Sequence, residues 1–190
     1  MVSITIMLIM ILLLVGSTLT VPLAALILTS LYKQSPQPVI LMMSVAYQML
    51  YASFGMFHAA YSLFWQNFGS ETDLNETLMF VSLVPLYSIR LALPVTSLML
   101  TIDRICAMRL PIKYNIWLKQ ILSAVALTVT VSLIVGSAVA YCTNQTRSSA
   151  SAYVFGHYVY FYLIHVLNDL YTLFCVLNLL GTALLLRDFY

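Results

Sequence analysis

The sequence predicts an all-α, multi-pass membrane bundle of five helices, and three observations carry that expectation. Apolar residues make up 62% of the 190 residues, well above the ~45–50% of an average soluble domain. Charged residues are only 7%, too few to coat a water-facing surface. Five stretches reach the roughly 20 apolar residues that a bilayer-crossing helix requires. The mean hydropathy of +0.97 agrees. A soluble enzyme, a disordered chain and a nucleic-acid binder are all disfavoured, the last because a net charge of +2 leaves no electrostatic footprint. Cys106, Cys142 and Cys175 are too scattered for a disulfide framework or a zinc site. No metal site and no cofactor are expected.

The spans follow in chain order, with the whole chain as one transmembrane domain. The first covers residues 4–28 and ends at a polar run from Tyr32 to Pro38, where Pro36 and Pro38 withdraw backbone donors. It reads as a retained helix, not a cleaved signal peptide. Its apolar run is about twice the usual signal core, and no basic residue precedes it. The second span covers 39–64 and stops at Gln66–Asp73. The third covers 78–102, with Pro85 and Pro94 expected to kink it. A polar stretch from Asp103 to Gln120 leads to the fourth, 121–141, and Thr143–Ser151 leads to the fifth, 158–186. Tyrosine and phenylalanine crowd Tyr153–Phe174, whose outer end reads as an interfacial belt. Membrane strands would be shorter and would alternate apolar with polar residues.

With five spans, the first and third loops share a side with the C-terminal tail. That side collects Lys33, Arg104, Arg109, Lys113, Lys119 and Arg187, six of the eight basic residues. The positive-inside rule makes it cytoplasmic and leaves the N-terminus outside. Two N-glycosylation acceptor patterns, at Asn75 and Asn144, fall in loops that this topology places outside.

One motif is specific. After the third span the chain reads Thr101-Ile102-Asp103-Arg104-Ile105-Cys106-Ala107-Met108-Arg109-Leu110-Pro111-Ile112-Lys113-Tyr114. An arginine where a helix leaves the bilayer reaches water on its long stem, and the preceding carboxylate balances its charge. Its five fixed donors suit the carbonyls at the end of an inserted partner helix. The run resembles the signature of rhodopsin-like G-protein-coupled receptors, with Asp103, Arg104, Ala107, Pro111 and Tyr114 all in register. At frequencies of about 5% each, five fixed matches arise on the order of once in a few million windows. The resemblance implies that these five residues form the G-protein coupling surface. Arg109, Lys113 and Lys119 read as ordinary membrane-boundary anchors.

Other marks of that superfamily are missing. The first span has no asparagine, the second offers Gln48 in place of a buried aspartate, and Trp117 precedes the fourth. The fifth span lacks proline, and Cys142 has no partner cysteine at the start of the third helix. This combination resembles the divergent nematode serpentine chemoreceptors, class BC first. The resemblance implies a chemosensory receptor with a small-molecule ligand among its helices and a heterotrimeric G protein as partner. It implies a multi-pass place in the plasma membrane, sensory cilia included. Five spans correspond to the first five of seven, so a partial or truncated receptor is expected.

Two charges fall inside spans, Arg90 and Asp169, and an intramembrane charge normally faces the bundle interior and pairs. Their similar depth suggests an Arg90–Asp169 ion pair, with His165 and Asn168 beside it. One reading is a polar lock between two helices. A second is the polar floor of a ligand pocket among Tyr87, His58, Tyr158 and Tyr162, and a third is a pair of charges that simply face a water-filled groove in a truncated bundle. No HExxH, GxSxG or glycine-rich phosphate loop appears, so an enzyme is not expected. Two rival functions stay open: a proton-coupled transporter relaying through Asp169 and His165, and a non-signalling partner that pairs with other receptors in the bilayer.

Overall fold

The computed structural model describes residues 4–34, 38–68, 76–110, 114, 116–145 and 159–189. They form five α-helices: α1 (Ile4–Tyr32), α2 (Val39–Phe68), α3 (Glu76–Arg109), α4 (Ile116–Thr143) and α5 (Phe161–Phe189). All five are long and apolar enough to cross a membrane. Among the described residues the one extended contact is an isolated bridge between Gln145 and Val159.

Each helix begins or ends a few residues away from its apolar stretch. Hydropathy marks the part that lies in hydrocarbon, whereas backbone hydrogen bonding continues until a breaker intervenes. Thus α3 does not stop at Ile102 but runs through Asp103 and Arg104 to Arg109, just before Pro111. α5 starts at Phe161, three residues later than expected, because Val159 is engaged with Gln145. Tyr158 and the rest of that approach lie outside the described residues. Both Pro85 and Pro94 are accommodated within a single unbroken α3.

α3 is the central element. It packs against α2, α4 and α5, while α1 lies mainly on α2. The buried face of α3 mixes large apolar side chains such as Leu83, Ile89 and Val95 with small and hydroxylated ones, Ser82, Ser88, Ala92 and Thr96. Lipid tails are as apolar as leucine, so burying leucine between helices gains little, and close approach of small residues decides association. Thr96 returns its hydroxyl to the Ala92 and Leu93 carbonyls, which removes an unmet donor from the interface. The chief core cluster sits at the end away from Arg104. There Met79, Phe80, Leu83, Val84 and Leu86 of α3 meet Tyr141 of α4 and Val159.

Two glycines mark close helix crossings. A side chain at Gly55 of α2 would stand 3.3 Å from the Ser17 hydroxyl of α1, and one at Gly181 of α5 would stand 3.2 Å from Thr101 Cγ2 of α3. Leucines such as Leu19, Leu23 and Leu26 on α1 point outward, as a lipid-facing surface requires.

Candidate functional site

The site has two levels along α3. At the end of the helix, Asp103 is buried and Arg104, one residue on, is exposed. One step of a helix turns the side chain through about 100°, so neighbouring residues face the bundle and the open end respectively. The Tyr114 hydroxyl donates a hydrogen bond to Asp103 Oδ1 at 2.5 Å. Burial, reinforced by the adjacent carboxylate, pushes the Tyr114 hydroxyl up to about 12, so it remains a donor at any physiological pH. Asp103 is thereby engaged by the segment that follows α3, and among the described residues Arg104 forms no ion pair. Ala107 is half-buried on the next turn. Pro111 lies outside the described residues.

The same end ties α3 to α5. Arg109 grips Asp188 with two hydrogen bonds, one of them 2.9 Å from Nη2 to Oδ1, and Arg187 stands 3.5 Å from the same carboxylate. Further along, the Asn178 amide donates to Ser97 Oγ at 2.9 Å and its carbonyl oxygen accepts from Thr101 at 3.3 Å. Arg109 is therefore more than a boundary anchor. Asp188, Asn178, Ser97 and Thr101 carry contacts that the sequence reading did not single out. Tyr171, Asn178 and Gly181 recur at steps of seven and three, the spacing of one helical face, and that stripe is the trace that was there to be found.

The second level centres on Arg90. Its guanidinium carbon stands 4.5 Å from the ring centroid of Tyr171 on α5. The expected Arg90–Asp169 ion pair is not formed. The contacts Arg90–Tyr171, Ser97–Asn178 and Arg109–Asp188 keep a nearly constant offset along the two chains, so α3 and α5 run side by side in the same direction. That register does place Asp169 at the depth of Arg90. The face is wrong. Asp169 precedes Tyr171 by two residues, about 200° around the helix, and it is exposed on the side away from α3.

His165 shares that outer side and meets the Phe161 ring edge-on at 4.1 Å. Asn168 is half-buried, and its backbone carbonyl accepts from Thr172. Tyr162 is exposed. Tyr87 instead faces inward, edge-on to Tyr141 at 6.4 Å and 77°. His58 is buried on α2, with Nδ1 3.1 Å from Ser82 Oγ. Ser82 gives its own proton to the Met79 carbonyl, so the geometry assigns the His58 proton to Nδ1 and makes Ser82 the acceptor. The pocket residues named from the sequence thus divide: Arg90, Tyr87 and His58 line the interior, and Asp169, His165 and Tyr162 do not.

Of the two glycosylation acceptors, Asn75 lies outside the described residues. Asn144 is exposed at the end of α4, its amide folded back on the Ala140 carbonyl at 2.9 Å. Among the described residues no three His, Cys, Asp or Glu side chains gather as a metal site would require.

Comparison with known proteins supplies the family. A family model described as serpentine type 7TM GPCR chemoreceptor Srbc matches residues 1–156, which include α1 to α4 and the whole Asp103–Tyr114 segment. No curated protein and no solved structure matches the chain significantly. The match covers more than half of the chain, agrees with the five membrane-length helices, and spans the arginine motif: the chain belongs to the Srbc family of serpentine chemoreceptors.

Proposed function

We propose that the chain works as a chemosensory receptor in the plasma membrane, including that of sensory cilia, with its N-terminus outside and Arg104 facing the cytoplasm. A small ligand enters among α2, α3, α4 and α5 near Arg90. It favours a conformation in which Arg104 is presented to a heterotrimeric G protein. A ligand can do this only to the extent that it binds one conformation better than the other. The observation that carries the reading is the division of labour at the end of α3. Asp103 is buried and held by Tyr114, and the neighbouring guanidinium is exposed and forms no ion pair among the described residues. Ser97, Thr101 and Asn178 lie between the two levels and join α3 to α5, which gives a pocket event a packed route to the Arg104 end.

The test is G-protein nucleotide exchange with the chain reconstituted in nanodiscs. Arg104→Ala should lower exchange at least tenfold at unchanged protein level, since it removes a contact and nothing from the core. Exchange that is indifferent to Arg104→Ala would defeat the coupling role. A cysteine at position 104 that reacts with a membrane-impermeant reagent from the cell exterior would defeat the orientation.

A further inference from the structure

The chain contains six acidic residues, and none of those described lies where Arg90 needs one. Asp103 is engaged by Tyr114 and Asp188 by Arg109, both at the Arg104 end, with Asp103 about 20 Å along the helix from Arg90. Asp169 shares the depth of Arg90 but faces the other way. Glu76 begins α3, about 21 Å from Arg90 in the other direction, and Glu71 and Asp73 lie outside the described residues. What surrounds Arg90 is aromatic. Tyr171 of α5 offers its ring face and hydrogen-bonds the guanidinium through its hydroxyl, and the charge acts on the hydroxyls of Tyr87 and of Tyr141 on α4.

An aromatic face stabilises a cation by far less than the cost of an unneutralised charge near the bilayer centre. A ring face and one phenol hydroxyl still leave most of the five guanidinium donors without a partner among the described residues, and the planar fork matches a carboxylate with two parallel hydrogen bonds. We infer that Arg90 is the anion-recognising group of the ligand pocket, and that the ligand is a small organic carboxylate whose apolar body lies against the half-buried rings of Tyr87 and Tyr171. The inference rests on the receptor reading above and adds the chemical class of the ligand.

Thermal unfolding of the full chain in lipid nanodiscs tests it, with benzoate and hexanoate as probes and benzamide and hexanamide as their uncharged counterparts. A ligand that binds only the folded state raises the melting temperature, here by about 5 °C at saturating acid, and the amides should do markedly less. Arg90→Lys keeps the charge but loses the fork, so acid affinity should fall about tenfold. Arg90→Gln should abolish the acid response. It should also leave the empty chain at least as stable as the parent, because it removes a charge that no carboxylate among the described residues balances.

Three results would overturn the inference. Amides that stabilise parent and Arg90→Gln as well as the acids do would leave a ligand pocket standing and remove its anion preference. A clear drop in the melting temperature of empty Arg90→Gln would mean that Arg90 already has an internal counter-charge. Silence from both probe sets would remove the pocket between α3, α4 and α5 itself, while the coupling role of Arg104 would still be decided by the exchange assay.

Discussion

α3 and α5 have the same mean hydropathy over their most apolar stretches, yet 67% of that stretch is buried in α3 and 0% in α5. They run side by side in one direction, so neither depth nor chain polarity separates them. What separates them is the kind of side chain each offers to a neighbour. α3 is packed by α2, α4 and α5 and sets Ser82, Ser88, Ala92 and Thr96 between larger buried side chains such as Leu83, Ile89 and Val95, the small ones allowing close approach. α5 makes its contact through a narrow stripe of Tyr171, Asn178 and Gly181 and leaves leucines such as Leu179 and Leu180 outward. In a bilayer the hydrophobic effect places a helix in the membrane but does not choose its neighbours. Small residues and hydrogen-bonding side chains choose them.

The contrast can be broken most severely at Ala92, which is fully buried on α3. Ala92→Leu should cost about 1–3 kcal/mol through overpacking and cut the yield of folded protein, while Leu179→Ala on the outer side of α5 should leave the melting temperature nearly unchanged. Equal effects from the two would mean that burial does not distinguish the helices.

Next in size is the stripe itself. Asn178→Leu removes both hydrogen bonds to α3, and interhelical bonds of this kind average about 0.6 kcal/mol in membranes. A double-mutant cycle with Ser97→Ala should return a coupling of that order, and a coupling of zero would sever the link that the geometry describes.

A smaller effect is spectroscopic. Tyr114 has its hydroxyl pushed from 10.0 to about 12. A tyrosine whose folded-state value is raised contributes stability that is present below the unfolded value, near 10, and is lost as pH rises through about 12. The phenolate absorbance difference between the parent and Tyr114→Phe should therefore titrate near 12. A midpoint near 10 would mean that Tyr114 is not held by Asp103.

The smallest change is expected for Asp188→Asn. The partner Arg109 is exposed and the pair is screened by water, so the melting temperature should hold. Spin labels at the ends of α3 and α5 should nevertheless report a broader distance distribution. An unaltered distribution would reduce this ion pair to a surface detail.

Much of this architecture was legible beforehand, for identifiable reasons. Five helices were readable because hydropathy over some twenty residues is a local property that no packing can reverse. The family was readable from the Asp103–Arg104 motif because the resemblance lies in fixed offsets, and the matched span 1–156 includes those residues. Helix ends were less legible, as α3 shows: charge at Asp103 marks the edge of hydrocarbon, while the backbone carries on to Arg109. The partner of Arg90 was misjudged for a different reason. Depth can be counted along one chain, and Asp169 does sit at the right depth, but facing depends on the rotation of α5 against α3. Asn178 and Gly181 set that rotation through a hydrogen bond and a close approach.

The amino-acid sequence alone determined that this chain lives in a bilayer, how many times its described part crosses it, and where an arginine marks the end of the third crossing. Those facts follow from transfer energies and fixed spacings, which each segment carries with it. Only the tertiary structure decided that α3 is the core, that Asp103 belongs to Tyr114, and that Arg90 stacks on Tyr171 while Asp169 turns away. Each of these depends on the relative rotation of two helices whose apolar surfaces lipid solvates equally well, so a handful of polar and small contacts sets the angle.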